Sequence, residues 1–352
     1  MPRRLQVLLV APYPLGQPRG NSVTIERIAR GLRQQGARVA LLSPAQPAPR
    51  RRFDLVHAFH AYRAGPRGLT LAQQWNARLV VTLTGTDFNH DLRLPARRSV
   101  VRRVLANADA LIVFNAQARQ RLREQVAGVV GRVRVVPQAV DPCFLPRWTK
   151  AKRDKLRRQW RRRLQLSEGD FVFLYASGIR AVKDPLFLLR AFLRLRHKHP
   201  QARLLFAGPV LERDYGRRFL AQARKVPGVT YRAAVAPGAM PGLYVAADAV
   251  VNSSRSEGMS NSLLEAMGMS VPVLVRAIDA NRNLVREGRT GLLFRNIKEF
   301  ARQAERLLVD AALRRKLAAR ACSLIRLRHD PEIEAAAHLR LYRRLLKEQP
   351  RA

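Results

Sequence analysis

The chain has 352 residues, 47% of them apolar, and its 66 lysines and arginines face 25 aspartates and glutamates, for a net charge of +41. That length suggests about two domains of roughly 150 to 200 residues, and no stretch approaches the roughly 18 consecutive apolar residues of a membrane-spanning helix. Cys143 and Cys322 stand far apart and outside any paired motif, so neither a disulfide framework nor a zinc site is indicated and a reducing cytoplasm fits.

The charge sets up a positive field that draws anions: nucleotides, phosphorylated substrates, acidic lipid headgroups or nucleic acid. The arginines are spread along the whole chain, with denser runs at 93–103 and 147–164, and no helix-turn-helix, RNP or zinc-finger signature accompanies them. No specific nucleic-acid partner is therefore expected. In the second run Trp148, Leu156 and Trp160 interleave with the cations, a pattern that suits either solvated helix faces or a peripheral hold on an anionic membrane.

The start, MPRRLQVLLVAPYP, reads as a first β-strand rather than a signal peptide, because the apolar run is short and prolines follow it in place of a cleavage site. Short β-branched runs then alternate with helical stretches, the pattern of parallel sheets covered by helices. Strands are expected at 5–10, 37–43, 53–60, 77–85, 109–115 and 132–140, enough for one doubly wound unit. A helix over 25–36 carries apolar residues at helical spacing and stops at Gly36. After a proline-containing stretch and the basic helix, a second set follows at 170–177, 202–208, 229–235, 248–254, 271–277 and 290–294. From about 296 the chain is helical; His329-Asp330-Pro331 breaks it, and a final helix runs over 333–348. The expected fold is α/β, with doubly wound domains at 1–146 and 147–330 and a terminal helical segment at 331–352.

Open parallel sheets take ligands beyond the carboxyl ends of their strands, which directs attention to four loops and to the cleft expected between the domains. The first, 11–24, has no G-x-G-x-x-G, which argues against NAD. Its Gly20 and Asn21 precede a helix, where free N–H groups could meet an anion or a polar substrate, or where Asn21 or Ser22 is a plain N-cap. The second, TGTDFNHD (84–91), crowds Thr86, Asp87, Asn89, His90 and Asp91 at a strand end; a metal site from Asp87, His90 and Asp91 finds no support in ligand spacing. The third places Gly178, Arg180 and Lys183 in a strand-to-helix turn, where a guanidinium fork and an ammonium can hold phosphate.

The fourth loop, NSSRSEGMSNSLLEAMG (252–268), carries two carboxylates. Glu265 follows Ser262 in the S-x-x-E pattern of a capping box, so it could simply satisfy a backbone N–H at a helix start. Glu257 precedes Gly258, and the N–H groups of Gly258, Met259, Ser260 and Asn261 would form an anion pocket at the helix N-terminus. Hydrogen bonding to sugar hydroxyls supplies a reason for a carboxylate there.

At these residues the sequence resembles the family 4 glycosyltransferases. EGMSNSLLE, a glutamate followed eight positions on by a second, is followed by AMGMSVPVLV and EGRTGLLF, while SGIRAVKDP is similar to the family's G-R-x-x-x-K element. The resemblance runs through most of residues 170–325 and more loosely through 5–140. Within the family the chain looks most like the glycosyltransferase 1 domain-containing proteins, through GIRAVKDPLF and VNSSRSEGMS; RGNSVT and LTGTD in the first domain also resemble selenosugar synthases. The resemblance implies a GT-B fold, two Rossmann-like domains facing a central cleft, with the C-terminal helix crossing back to the first.

It also implies a retaining, metal-independent transfer of a hexose or N-acetylhexosamine from a nucleotide-sugar, a UDP-sugar in the first instance, with no cofactor. Arg180 and Lys183 would neutralise the diphosphate together with the backbone of Gly258 to Asn261. Glu257 would touch the sugar, Glu265 the ribose, and the acceptor would approach Gly20, Asn21, Thr86 and Asp87. The chain has no Asp-x-Asp to hold a metal between phosphates. It departs from many relatives in having Thr84 where they carry a histidine, and Ala280 and Asn281 where a glycine-rich turn is common. Alternatives are a selenosugar synthase-like transfer to a small anionic acceptor, a sugar-nucleotide 2-epimerase, and a non-catalytic anion- or membrane-binding protein. A cytoplasmic location, with peripheral contact at the inner membrane surface as an option, completes the expectation.

Overall fold

A computed structural model describes residues 4–16, 20–233 and 235–348. It divides into two compact units, one of residues 1–139, 257–259 and 328–352, the other of residues 140–256 and 260–327. In the first, β1 (Gln6–Val10), α1 (Gly20–Gln34), β2 (Arg38–Leu42), β3 (Leu55–Phe59), α2 (Gly65–Trp75), β4 (Arg78–Thr82), α3 (Thr86–Asn89), α4 (Pro95–Asn107), β5 (Ala110–Val113), α5 (Ala116–Gln125) and β6 (Val133–Val135) follow one another. The second contains α6 (Lys150–Arg163), β7 (Phe171–Ala176), α7 (Pro185–Lys198), β8 (Ala202–Ala207), α8 (Arg213–Ala223), β9 (Val229–Arg232), α9 (Met240–Ala246) and β10 (Ala249–Asn252). It continues through α10 (Asn261–Gly268), β11 (Val273–Arg276), α11 (Asp279–Leu284), β12 (Leu292–Phe294), α12 (Ile297–Val309) and α13 (Ala311–Arg328), after which α14 (Pro331–Lys347) belongs to the first unit.

The sheet orders are β2-β1-β3-β4-β5-β6 and β12-β11-β10-β7-β8-β9, and adjacent strands pair in parallel throughout. A parallel sheet buried on both faces reads as a continuous apolar run, and the period of two sorts that run between its faces. Leu8, Val56, Val81 and Leu111 pack on the side of α2 and α4. Val7, Leu9, Leu55, Val80 and Ile112 pack on the other, with Ile25 and Ile28 of α1 and Leu339 and Tyr342 of α14. In the second unit Phe173, Tyr175, Phe192, Phe206 and Phe219 belong to one cluster of buried side chains. Among the described residues no helix is long and apolar enough to cross a membrane.

Helix α1 runs five residues further toward its N-terminus than the periodicity predicts and ends as expected. Gly36, at φ 90°, lets the chain turn back so that Ala37 N–H donates to Leu32 O at 3.0 Å. The break before α14 is a cap: the Asp330 side chain accepts from Glu332 and Ile333 N–H, with Pro331 at the first helical position.

A buried ion pair fastens α14 to the first unit. Arg27 of α1 grips Glu334 through Nε and Nη2, each at 2.9 Å, and Glu334 Oε1 also accepts from Ala139 N–H. The two side chains are each 2% exposed. Beside them His57 of β3 bonds the Tyr342 hydroxyl at 2.6 Å and Thr82 Oγ1 at 2.7 Å.

The basic helix α6 is only partly a solvated face. Arg153, Arg157 and Arg161 recur every four residues and turn inward. Arg153 donates to Met269 and Ser270 O past the end of α10; Arg157 and Arg161 donate to carbonyls of residues 245–247 at the end of α9 and pair with Asp248. Guanidinium forks thus satisfy helix C-termini that otherwise lack partners.

Breaking a buried ion pair from one side typically costs about 3 to 5 kcal/mol. Glu334→Ala should lower the denaturant midpoint accordingly and expose α14 to proteolysis, whereas an unchanged midpoint would remove the pair from the account. A second expectation concerns acid. His57, His60, His329 and His338 are buried, all in the first unit. Burial before any other cause depresses each below the ordinary histidine value. A depressed histidine is neutral in the native state and takes up a proton on unfolding. The stability it contributes is complete above about pH 6.5 and is lost as pH falls below that value, at up to about 1.4 kcal/mol per pH unit for each. Urea midpoints measured from pH 7.5 to 5 should fall steadily below about 6.5; a flat profile contradicts this.

Candidate functional site

The strand order of the second sheet reverses between β7 and β10. Connections leave these neighbours toward opposite faces, and open α/β sheets take ligands in the crevice that results. The loops concerned, 177–184 and 253–260, hold Gly178, Arg180, Lys183 and Glu257 through Ser260, and Asn261 and Glu265 follow on α10. The tip, Glu257–Met259, is counted with the first unit.

Asp184 stitches the two loops together. It adopts the left-handed conformation, φ 48° and ψ 49°, is 4% exposed, and makes no cap for α7. Its Oδ2 instead accepts from Arg255 Nε at 2.9 Å and Arg276 Nη1 at 3.0 Å. Ser253 Oγ donates to the carbonyls of Lys183 and Asp184, and Arg255 N–H donates to Val182 O at 2.8 Å. From the other side, Ile179 N–H donates to Pro209 O and accepts from Leu211 N–H at its carbonyl. Gly178 lies close to Leu211: a Cβ would come within 2.5 Å of Leu211 Cδ1 and would make that side chain shift. Arg180 is half-buried, and its Nε is buried without a hydrogen-bond partner among the described residues, an atom that a ligand acceptor would satisfy.

The helix after the second loop begins at Asn261 with Ser260 as its N-cap, and no side-chain bond closes the cap. The capping-box expectation for Ser262 and Glu265 is therefore corrected: position three after the cap is Leu263, and both residues lie inside the helix. Glu265 accepts at Oε2 from the Tyr244 hydroxyl at 2.6 Å. Asn252, at the end of β10, donates to Ser260 Oγ and accepts from Asn281 Nδ2, which also donates to Arg276 O. Asn281, standing where relatives have a glycine-rich turn, is thus a buried strut of the same frame.

In the first unit the order reverses between β1 and β3. Gly20 and Asn21 are the first two residues of α1, so the cap expectation for Asn21 or Ser22 is corrected, and the residue before Gly20 lies outside the described ones. Ser22 Oγ donates to Pro14 O. Asp87 is fully buried, and its carboxylate accepts from the N–H groups of Ala61, Thr84, Gly85 and Phe88. These four bonds make Asp87 the organiser of the loop. Thr86 stays half-exposed beside it. Asp91 pairs with Arg97 at 2.8 Å, and among the described residues no three metal-ligating side chains converge.

His60, after β3, was not visible in the sequence as a site residue. It has φ 88°, a left-handed conformation uncommon for residues other than glycine, of the kind that clusters at functional sites. Its Nδ1 accepts from Arg63 N–H, so Nε2 carries the proton and donates to Thr86 Oγ1 at 3.0 Å. Arg63 lies over the ring of Tyr13, 5.0 Å from its centroid, joining the loops after β3 and β1. Only the strand order marks this place, and strand order is not legible in a sequence.

Misplacing a catalytic loop by about 1 Å costs on the order of 10²-fold in rate. Asp184→Asn keeps a residue that tolerates φ above zero but removes the charge between two arginines, so the nucleotide affinity that the resemblance implies should drop at least about tenfold and the thermal midpoint should fall with it. Calorimetric titration of both forms checks this, and equal affinities would take Asp184 out of the frame.

Comparison with known proteins gives the same frame a context. The family described as Glycosyl transferases group 1 matches residues 170–310, and Glycosyltransferase Family 4 matches residues 47–144. Glycosyltransferase 1 domain-containing protein 1 of Xenopus tropicalis is 27% identical over 250 residues, 71% of each chain. A D-inositol 3-phosphate glycosyltransferase of Pseudarthrobacter chlorophenolicus is 29% identical over 76% of this chain and 65% of its own length. Among solved structures, Anabaena HepE in complex with UDP-glucose superposes with a TM-score of 0.81 at 19% identity, over 96% of this chain and all of that one. Sucrose-phosphate synthase from Thermosynechococcus elongatus gives 0.81 at 20% identity, over 98% and 100%.

Proposed function

The chain is a family 4-like glycosyltransferase with the GT-B fold, and we propose that it moves a hexose or N-acetylhexosamine from a UDP-sugar to its acceptor with retention of configuration and without a metal. The observation that carries this is that the loop bearing Arg180 and Lys183 is bonded to Ser253 and Arg255, on the loop that leads to α10, at the switch point of the second sheet. A UDP-glucose complex of a protein with the same fold supports the choice of donor.

Departure of a nucleoside diphosphate builds negative charge on its oxygens. Arg180 would reach that charge with its fork and Lys183 with a mobile ammonium, while the N–H groups opening α10 aim the helix dipole at it. The backbone that carries Arg180 and Lys183 is already held by the Asp184 frame, which limits the reorganisation needed as the charge develops. Glu257 would accept hydrogen bonds from the sugar hydroxyls and Glu265 from the ribose. Gly20, Asn21 and Thr86 remain the residues proposed for the acceptor, joined now by His60, which orients the Thr86 hydroxyl.

The positive field, Arg63 at the β1/β3 switch point, and a relative named for D-inositol 3-phosphate support a small anionic acceptor. For a peripheral hold on an anionic membrane, the supporting feature is a groove of about 450 Å³ beside α6, lined by Trp148, Leu156, Trp160 and Pro241, next to exposed Lys155, Arg158 and Arg162.

A panel of sugar nucleotides tested for thermal stabilisation identifies the donor without knowledge of the acceptor, because binding to the native state raises the midpoint by mass action. UDP-sugars should stabilise most, and donor turnover should persist in EDTA. Arg180→Ala should lower turnover by about 10² to 10³, and Glu257→Gln should abolish transfer while nucleotide affinity holds. Failure of every nucleotide to bind the folded protein would sink the proposal.

A further inference from the structure

Tyr244 lies on α9, 21 residues before Glu265, in a stretch with no motif of its own. Its side chain is fully buried, with the ring held edge-on against Phe144 at 5.7 Å between centroids and 88° between planes. The helix that carries it is pinned at its end by Arg157 and Arg161 of α6, and its Gly242 lies flat against the Trp160 indole. The hydroxyl therefore has little freedom, and it donates at 2.6 Å to Glu265 Oε2, with a longer contact of 3.4 Å to Ser262 O. Glu265 is half-exposed, on α10, the helix that follows the loop beyond β10. A glutamate on a helix has three side-chain torsions to fix, and a hydrogen bond from a rigid buried donor fixes them.

We propose that Tyr244 is a positioning residue: it holds one oxygen of the Glu265 carboxylate so that the carboxylate is set in advance for the two hydroxyls of the donor's ribose. This rests on the reading of Glu265 as the ribose-binding group. Burial, and then the charge and hydrogen bond of Glu265, push the Tyr244 phenol well above the ordinary tyrosine range, so the phenol keeps its proton and remains a donor at any working pH. The arrangement also explains why a carboxylate is retained in the middle of α10, where it serves no cap. Ordering the acceptor before the ligand arrives moves that entropic cost from binding to folding.

The test is calorimetric titration of the full-length protein with UDP and with 2′-deoxy-UDP and 3′-deoxy-UDP. The wild type should prefer UDP by roughly tenfold or more, the worth of a hydrogen bond to a charged group. Glu265→Gln should lose most of that preference. Tyr244→Phe keeps the ring and its packing on Phe144, so the thermal midpoint should stay near that of the wild type while the ribose preference falls several-fold. The double variant should match Glu265→Gln alone, because Tyr244 acts only through that carboxylate. Full ribose preference in Tyr244→Phe, with the preference lost in Glu265→Gln, overturns the positioning role and leaves the reading of Glu265 intact. Full preference in Glu265→Gln overturns that reading itself. A merely structural tyrosine would lower the thermal midpoint and leave the ratio of UDP to deoxy-UDP affinities unmoved.

Discussion

With 25 carboxylates among 66 lysines and arginines, most cations in this protein cannot find an acid, and the fold depends on where the scarce acids go. They sit at joints. Glu334 closes on Arg27 and fixes α14; Asp248 gathers Arg157 and Arg161 at the foot of α9; Asp184 binds Arg255 and Arg276 between two loops. Other guanidinium groups use backbone carbonyls in place of carboxylates. Arg132 donates to carbonyls at the end of α4, Arg153 past α10 and Arg314 at the end of α12. A planar fork with five donors suits several carbonyls at once, which an ammonium does less well, and this accounts for part of the arginine bias without any external partner.

The proposed chemistry follows from the same distribution. Asp184 pairs with Arg255 and Arg276, and Arg180 and Lys183 are the cations proposed to face the anion. Backbone and carboxylate bonds fix the loops that carry these residues, which is what the proposed stabilisation of a departing diphosphate needs. Glu265, the residue proposed for the ribose, is held by the hydroxyl of Tyr244. The frame and the proposed ligand contacts are thus made by different residues, which is why frame and contact variants should separate in stability and affinity.

Much of the fold was legible. Continuous β-branched runs at 5–10, 53–60 or 170–177 admit only strands of a sheet covered on both faces, and each of the twelve expected strands is present within a few residues. The loops with Arg180, Lys183 and Glu257 stood out because small residues and charges follow a strand directly. What escaped the sequence is tertiary. Strand order decides that His60 lies at a switch point; a one-dimensional pattern could not show that Asp87 turns inward, since an acid in a polar loop looks the same whichever way it faces. The capping box failed by two residues because α10 begins at Asn261, one turn of local geometry that the S-x-x-E spacing does not encode. Tyr244 had no signal near it, its partner being a helix away.

Amide hydrogen exchange of the full chain with and without saturating UDP tests the central claim most directly, because it reports where the nucleotide rests. The account predicts slowed exchange in the second unit concentrated at residues 178–184 and 253–265, where the loops beyond β7 and β10 meet. Nucleotide binding that leaves both segments unprotected, or that protects a different face of the sheet, would contradict it.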